Sequence, residues 1–455
     1  MNKYLTCLIT SFLFKAFLFA QTLPVPSSRQ LAWQQMETTA FLHFTVNTFT
    51  DKEWGDGTEA ESIFNPAKLD ARQWIKALKD AGLKMAIITA KHHDGFCLWP
   101  SAFTSHSVKN SPWKNGKGDV VKEVADACRE YGLKFGVYLS PWDRHEASYG
   151  TPEYNTYYKN ELRELLTNYG TISEVWFDGA KGENAKNMEY DFRGYWKIVR
   201  ELQPTAVIFS DAGPDVRWVG NEKGNAGQTC WSMIDTAGLA PGKADPAYLN
   251  VGDPNGKYWI PAETDVSIRP GWFYHESENE KVKSPQELVN LYYQSVGHNS
   301  LLLLNIPPNR NGLLSETDVE NIATFRKILN ETFAINLAEG HVPLALTDKN
   351  ISTFISVKVN QPSVIDFKKA VKIDRALFQE NIASGQRIIK TLLEYWDGKD
   401  WKKLDQFTTV GYKRLLRFKE IDTDKIRVTV LESKAMVQLA EVGFFLASKM
   451  EEYNN

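Results

Sequence analysis

The sequence has few cysteines, no excess of one charge and no long apolar run after its first 20 residues. Four cysteines in 455 residues are too few for a disulfide-dense scaffold. The 53 basic residues nearly balance the 56 acidic ones, for a net charge of −3. Because they form no basic block, nucleic acid is not an expected partner. A membrane span needs about 18 or more apolar residues in a row, so we expect none in the mature chain.

The first 20 residues have the pattern of a signal peptide. Lys3 supplies the positive charge, and residues 12–20 are mostly apolar but too short to span a membrane. Cleavage is predicted near Ala20–Gln21, which would remove Cys7. An odd number of cysteines then remains, so at least one thiol stays free. We therefore expect a protein that is exported to the periplasm or secreted.

Residues 21–337 are predicted to form an α/β domain of the (β/α)8, TIM-type barrel class. Short apolar runs alternate with helical patterns there, which predicts parallel strands joined by helices. No glycine-rich loop follows the first strand, so a dinucleotide-binding sheet is not favoured. The irregular stretch 211–260 suggests that loops replace one or two barrel helices. The predicted strands are 39–49, 84–91, 134–140, 174–177, 206–210, 258–262 and 301–306, and the predicted helices are 70–81, 119–131, 154–169, 193–202, 285–296 and 316–329.

Residues 338–455 have a different, all-β pattern. Segments of strand length alternate polar and apolar residues, and turn residues such as those of 397–400 separate some of them. This pattern predicts a C-terminal β-sandwich. The sandwich could bind sugar or support the barrel, and the sequence favours support because no aromatic cluster can be assigned to one edge.

Polar side chains recur where the predicted barrel strands end. In a TIM-type barrel the active site forms at the carboxyl ends of the strands. Asp178 is the most informative of these residues, because it follows an apolar strand and precedes Gly179. Its carboxylate could face the barrel mouth or cap a turn, and position alone does not separate these alternatives.

A metal site is the alternative chemistry for the histidines at these strand ends. His43, His92, His93 and Asp94 are residue types that bind zinc in barrel hydrolases. If strand geometry continued through the adjacent His92 and His93, their side chains would point in opposite directions. A His-x-His spacing, which would put two imidazoles on one side of a strand, is absent. The residues therefore favour a site without metal.

Six motifs occur in order along the predicted barrel: FLHF (41–44), KHHDGFCLWPS (91–101), GVYLSPWD (136–143), EVWFDGA (174–180), RPGWFYH (269–275) and LLLNIPPNRNG (302–312). Together they resemble family 29 glycoside hydrolases, the α-L-fucosidases. The resemblance covers about residues 36–335 and the size of the C-terminal domain, and it implies a barrel fold, a retaining double-displacement mechanism and no metal or cofactor. It also implies a fucosylated oligosaccharide or glycoconjugate as substrate.

The resemblance also implies roles for individual residues. Asp178 matches the nucleophile. Glu222, in the segment 217–224, is similar to the acid/base of the subgroup that cleaves α-1,3 and α-1,4 linkages, with Glu146 and Glu263 as rival acids; Glu263 could instead hold Arg269. The residues expected to bind fucose are His43, Glu53, Trp54, His92, His93, Tyr138 and Trp272.

The predicted function is therefore a retaining exo-α-L-fucosidase acting on terminal α-1,3/1,4-linked fucose. The alternatives are a broader α-L-fucosidase that also cleaves α-1,2 linkages and a non-catalytic fucose-binding protein. Fucose carries a methyl group where galactose carries a hydroxymethyl, so its pocket needs an apolar patch. Phe44, Trp272 and Phe273 are the residues expected to supply it.

Overall fold

The computed structural model describes residues 23–451. The predicted signal peptide, with its cleavage site at Ala20–Gln21, lies outside the described residues. No helix between residues 23 and 451 is long and apolar enough to cross a membrane. The three cysteines of this range, Cys97, Cys128 and Cys230, are buried and unpaired.

Eight parallel strands close into a barrel, which confirms the predicted fold class. Their order around the barrel is β1-β10-β9-β6-β5-β4-β3-β2, and the two other strands of this region, β7 and β8, form a separate antiparallel pair. The strands are β1 (Thr38–Leu42), β2 (Met85–Lys91), β3 (Lys134–Leu139), β4 (Glu174–Trp176), β5 (Val207–Ser210), β6 (Val216–Trp218), β7 (Met233–Ile234), β8 (Tyr258–Trp259), β9 (Ala262–Ser267) and β10 (Leu301–Asn305).

Most of the helices lie around the outside of the barrel, and side chains cap several of them. Asp70 accepts hydrogen bonds from the first backbone N–H groups of α3, and Ser284 and Glu287 form a capping box at the start of α8. The helices are α1 (Ser28–Gln34), α2 (Val46–Thr50), α3 (Ala71–Asp80), α4 (Val120–Tyr131), α5 (Glu153–Asn168), α6 (Phe192–Leu202), α7 (Pro246–Val251), α8 (Pro285–Gln294) and α9 (Glu316–Thr332).

The barrel interior is a packed core that is closed at one end and open at the other. Helix α1 closes the end where the strands begin, with Trp33 and Met36 packed against the inward-facing side chains. Phe41, Tyr138 and Trp176 belong to the same cluster and lie toward the opposite end. The carboxyl ends of the strands therefore surround the only open end of the packed interior that the described residues form, as expected for this fold.

The structure corrects two of the sequence-based assignments. The predicted strand 39–49 ends at Leu42, because Thr45 caps the short helix α2 with its side chain. The irregular stretch contains the barrel strand β6, whose three residues are too few to show a periodicity. The predicted strand 258–262 divides into β8 and the start of β9, and only β9 belongs to the barrel. As expected, no barrel-type helix lies between β5 and β6.

The C-terminal region is an antiparallel β domain, as predicted. Its strand order is β11-β16-β12-β15-β13-β14, and the long strands β12 and β15 take part in both halves of the sheet. The sheet surrounds an apolar core of its own. The strands are β11 (Ile355–Val357), β12 (Ser363–Glu380), β13 (Ile388–Trp396), β14 (Trp401–Thr408), β15 (Arg414–Ser433) and β16 (Val437–Phe445).

Polar contacts join the C-terminal domain to the start of the barrel. Glu37 accepts hydrogen bonds from the hydroxyls of Tyr292, at 2.6 Å, and Tyr412, at 2.9 Å, and lies 2.5 Å from Lys413. Burial by itself would raise the pKa of Glu37, but Lys413 and the hydroxyl donors outweigh it and hold that pKa below its usual value. The C-terminal domain thus contacts the end of the barrel opposite the strand carboxyl ends.

Candidate active site

A cavity of about 480 Å³ lies at the carboxyl end of the barrel strands. The structure brings every predicted catalytic and fucose-binding residue to its wall, although these residues come from stretches that are far apart in the sequence. They are His43, Glu53, Trp54, His92, His93, Tyr138, Asp178, Glu222 and Trp272.

Asp178 lies two residues beyond β4 and receives hydrogen bonds on both of its carboxyl oxygens. The Tyr138 hydroxyl donates to Oδ2 at 2.8 Å, and the backbone N–H of Ala180 donates to Oδ1 at 2.8 Å. The Nε2 atom of His93 lies 3.7 Å from Oδ2. These contacts hold the carboxyl group of Asp178 in a fixed orientation at the cavity wall, as a nucleophile requires.

Burial keeps His43 a neutral imidazole, and Asn305 fixes its tautomer. The amide nitrogen of Asn305 donates to the Trp272 carbonyl at 2.7 Å, so its oxygen accepts from His43 Nδ1 at 2.8 Å. Burial lowers the pKa of His43 to about 3. The Nδ1 atom therefore carries the proton, and Nε2 is left as an acceptor for a ligand hydroxyl.

His92 and His93 both face the cavity, contrary to the expectation that they point in opposite directions. Their ring centroids are 4.1 Å apart, because β2 ends at Lys91 and strand alternation stops before the pair. His93 Nδ1 lies 2.7 Å from the Ser140 hydroxyl, which itself donates to a backbone carbonyl. Burial lowers the pKa of His93 to about 4 and that of His92 well below its usual value. Both rings are therefore neutral hydrogen-bonding groups near pH 7.

Glu53 joins the loop after β1 to the loop after β9. It accepts hydrogen bonds from the backbone N–H groups of Trp272, at 2.8 Å, and Phe273, at 3.2 Å, and contacts His275 Nε2 at 2.6 Å. Burial by itself would lower the pKa of His275. The contacts with Glu53 and Asp51 outweigh burial, and the pKa of His275 is raised. Glu53 thereby fixes the backbone that carries Trp272 in the cavity wall.

Trp54 and Trp272 form aromatic walls on different sides of the cavity. Trp54 packs edge-on against His93 and Trp142, with centroid distances of 5.7 and 5.3 Å. Trp272 packs against His43 at 5.2 Å. Both side chains keep exposed surface toward the cavity mouth. The walls therefore offer flat apolar surfaces next to polar groups, as sugar-binding sites require.

Glu222 lies in the loop after β6, at the mouth of the cavity. Its Oε2 accepts a hydrogen bond from Trp272 Nε1 at 3.2 Å. Desolvation by the cavity walls raises the pKa of Glu222, the negative charges of Asp178 and Glu53 raise it further, and the indole donor opposes them. The raised pKa favours the protonated form that a general acid needs.

Neither rival acid lines the cavity. Glu146 accepts a hydrogen bond from the backbone N–H of Ser148 and lines a neighbouring cleft. Glu263 is fully buried inside the barrel. It does not hold Arg269, which instead makes a two-pronged contact with Asp318 at 2.8 and 2.9 Å.

Of the three residues expected to form the apolar patch, Trp272 lines the cavity and the other two do not. Phe44 is buried in the outer core against Phe64 and Trp74. It faces outward because it is one residue beyond His43, and neighbouring residues in an extended chain point to opposite sides. Phe273 contacts His43 and His92 from behind. The other tryptophan and phenylalanine side chains in the cavity wall are Phe41, Trp54, Trp176 and Trp218.

Two further carboxyl groups in the wall were not identified from the sequence. Burial raises the pKa of Asp211 to about 6, and the charge of Asp178 contributes to this shift. Asp265 accepts a hydrogen bond from Trp218 Nε1 at 2.9 Å, and burial, with Glu222 nearby, raises its pKa well above its usual value. In the sequence, Asp265 could have been found from its position two residues after Glu263, because alternate residues of a strand point to the same side of it.

The described residues contain no group of three His, Cys, Asp or Glu side chains arranged to hold a metal ion. The imidazoles of the cavity instead have partners typical of a polar binding site. His43 contacts an amide oxygen, and His93 contacts a hydroxyl.

Comparison with known proteins gives a consistent relationship over nearly the whole chain. Residues 20–331 match the family described as alpha-L-fucosidase. Alpha-L-fucosidase 1 of Arabidopsis thaliana is 45% identical over 446 residues, covering 93% of this chain and 88% of the plant protein.

Solved structures agree with this relationship. A glycoside hydrolase 29 family member from an unknown rumen bacterium is 45% identical, with a TM-score of 0.87, over 94% of this chain and 78% of that one. A Ruminococcus gnavus GH29 fucosidase in complex with fucose is 34% identical, with a TM-score of 0.87, over 94% and 96% of the two chains. The chain belongs to the α-L-fucosidase family of glycoside hydrolases, and the cavity at the carboxyl end of its barrel is its candidate active site.

Proposed function

We propose that this enzyme is a retaining exo-α-L-fucosidase that removes terminal α-1,3- and α-1,4-linked fucose from glycans. The observation that carries the proposal is the contrast between two carboxyl groups in one cavity. Asp178 accepts hydrogen bonds from the Tyr138 hydroxyl and the backbone N–H of Ala180. Glu222 lies where desolvation and negative charge raise its pKa and favour its protonated form. Retaining glycoside hydrolysis requires two carboxyl groups with different roles, one as nucleophile and one as acid/base.

The proposed reaction has two displacements. Asp178 attacks the anomeric carbon, and the bond to the leaving oxygen breaks as Glu222 gives that oxygen its proton. The Glu222 carboxylate then takes a proton from water, whose oxygen attacks the same carbon and releases Asp178. The Tyr138 hydroxyl, bonded to Asp178 Oδ2, holds the nucleophile in position throughout. No step needs a metal or an organic cofactor.

The cavity walls explain why fucose would be preferred to other sugars. Neutral His43, His92 and His93 offer hydrogen bonds to sugar hydroxyls without a fixed charge. Aromatic side chains offer apolar surface for the methyl group. A site built to hydrogen-bond a hydroxyl discriminates strongly against analogues that lack it.

Azide rescue tests the assignment of the two carboxyl groups. In Glu222→Ala, an activated aryl fucoside should still form the intermediate, because its leaving group hardly needs a proton, and azide should release it. Two inversions give the α-fucosyl azide. In Asp178→Ala, azide would attack the α substrate directly and give the β anomer. A β-azide from Glu222→Ala would show that the two roles are exchanged.

Linkage preference is proposed from the position of Glu222. Its loop is similar to that of the subgroup that acts on branched α-1,3 and α-1,4 linkages. Wild-type enzyme should cleave Lewis-type trisaccharides far faster than 2′-fucosyllactose. Comparable cleavage of both would favour the broader specificity, and failure to hydrolyse any fucoside would favour the non-catalytic binding protein.

Export of the enzyme is proposed from the first 20 residues. Cleavage near Ala20–Gln21 would release the enzyme into the periplasm or the medium. N-terminal sequencing of protein purified from each cell fraction tests this. Full-length protein confined to the cytoplasm would contradict it.

A further inference from the structure

Two buried carboxyl groups meet inside the barrel beneath the active-site cavity. Glu174 lies on β4 two residues before Trp176, and Glu263 lies on β9 two residues before Asp265. Alternate residues of a strand share one side, so both carboxyl groups lie in the barrel interior. Because Trp176 and Asp265 line the cavity, the two glutamates form the layer immediately below it. Both are fully buried.

Each carboxyl group accepts a hydrogen bond from one tryptophan indole. Trp33 Nε1 donates to Glu174 Oε2 at 2.8 Å, and Trp176 Nε1 donates to Glu263 Oε1 at 2.8 Å. The remaining oxygens, Oε1 of Glu174 and Oε2 of Glu263, have no other hydrogen-bond partner among the described residues. The charge of Glu174 nevertheless contributes to raising the pKa of Glu263.

Two ionised carboxylates could not be held together in this position. They would repel each other in a medium of low polarity, and a buried charge without a partner is strongly destabilised. Protonation of at least one of the two groups removes the repulsion. Burial raises the pKa of each glutamate in agreement with this arrangement, and the neighbouring carboxyl raises that of Glu263 further.

The indole held by Glu263 is part of the floor of the active site. Trp176 lies flat on Phe209, with centroids 3.9 Å apart and planes 7° from parallel. It also stacks with Tyr138 at 5.4 Å. Since Tyr138 donates to the carboxylate of Asp178, a tilt of the Trp176 ring would disturb both the floor and the support of the nucleophile.

We propose that Glu263 is a positioning residue that, through its hydrogen bond to Trp176 Nε1, fixes the Trp176 indole as the floor of the fucose pocket. The glutamate acts on the reaction only through Trp176 and does not touch substrate. This proposal rests on the proposed fucosidase reaction, because aryl-fucoside turnover is its measure.

A double-mutant cycle on the full-length enzyme tests the proposal. Glu263→Gln keeps an acceptor for the indole, so kcat/KM on an aryl α-L-fucoside should stay within about threefold of wild type. Glu263→Leu leaves the indole N–H without a partner and should lower kcat/KM roughly 10- to 100-fold. Trp176→Phe removes the same hydrogen bond by removing its donor, and it should lower kcat/KM by a similar factor.

The decisive variant combines the last two substitutions. If Glu263 acts through Trp176, Glu263→Leu combined with Trp176→Phe should be no less active than either single variant, because the interaction is already lost in each. Effects that multiply would overturn the proposal. So would a Glu263→Gln variant as impaired as Glu263→Leu. If Glu263→Leu does not fold, a Trp176→Phe enzyme with normal kcat/KM would still refute the proposal.

Glu380 provides a matched control. It is a buried glutamate of the C-terminal domain that accepts hydrogen bonds from the backbone N–H groups of Gly411, Arg387 and Ile388. Glu380→Gln should lower the melting temperature but leave kcat/KM unchanged per folded molecule. Wild-type protein inactive on every aryl fucoside would refute the proposed function, whereas active wild type with a normal Glu263→Leu variant would refute only the positioning role.

Discussion

The two sides of the cavity are built differently. On the side of β1 to β4, which we call the strand side, His43, His93 and Tyr138 lie at or just beyond strand ends and are almost fully buried. On the side of β6 and β9, which we call the loop side, Glu222 and Trp272 lie on loops and keep exposed surface. The first side offers buried neutral imidazoles, which suits recognition of one constant sugar. The second side is open, which suits a proton donor that must meet varied leaving groups.

The largest effect is expected on the strand side, at the nucleophile. Asp178→Ala removes the group that forms the covalent intermediate, and should lower kcat by at least about 10⁴-fold while the fold persists. Steady-state kinetics on an aryl fucoside, with circular dichroism to verify folding, measures this. Near-normal turnover in the folded variant would refute the mechanism and the division of roles between the two sides.

Smaller losses are expected from the neutral histidines. His43→Ala and His93→Ala each remove one hydrogen bond to a sugar hydroxyl, and each should weaken fucose inhibition and lower kcat/KM by roughly 10- to 100-fold. Inhibition constants for fucose provide the measurement, with metal analysis of wild type and variants as the control. Stoichiometric zinc lost together with activity would instead support a metallohydrolase.

On the loop side, we expect a substitution to change the pH dependence of kcat/KM more than substrate binding. Trp272→Phe removes the indole donor that opposes the raised pKa of Glu222, so that pKa should rise further. Because the protonated acid is the active form, the alkaline limb of the kcat/KM profile should move to higher pH. The profile of Trp54→Phe, on the opposite wall, is the comparison. A shift to lower pH in Trp272→Phe would contradict the contact with the acid.

The smallest effect is expected at Asp265. Its carboxyl is buried and its pKa is raised well above the usual value, which favours the neutral acid, and an amide resembles that form. Asp265→Asn should keep kcat/KM within about threefold of wild type, whereas the same change at Asp178 should be severe. Kinetics of the two asparagine variants side by side provides the measurement. Equal losses would show that Asp265 acts as an ion.

The strand side of the site, formed by β1 to β4, was predictable from the sequence. The loop side, formed by β6 and β9, was harder to predict. His43, His92 and Asp178 adjoin apolar runs of strand length, and the fold rule that places barrel sites at strand ends then brings them together. Trp218 and Asp265 do not directly follow an apolar run of strand length. Strand β6 has only three residues and is defined by its pairing with β5 and β9, so a periodicity within one segment could not reveal it.

The sequence by itself determined the alternation of strands and helices, the change to an all-β domain after residue 338, and the residues of the strand-end motifs. Local spacing carries this information because apolar periodicity and capping depend on neighbours a few residues away. Only the tertiary structure decided that Phe44 faces outward, that both His92 and His93 face the cavity, and that Glu263 holds Trp176 rather than Arg269. Those outcomes depend on where strands end and on which carboxyl group meets which donor across the barrel, and such contacts join residues that are far apart in the chain.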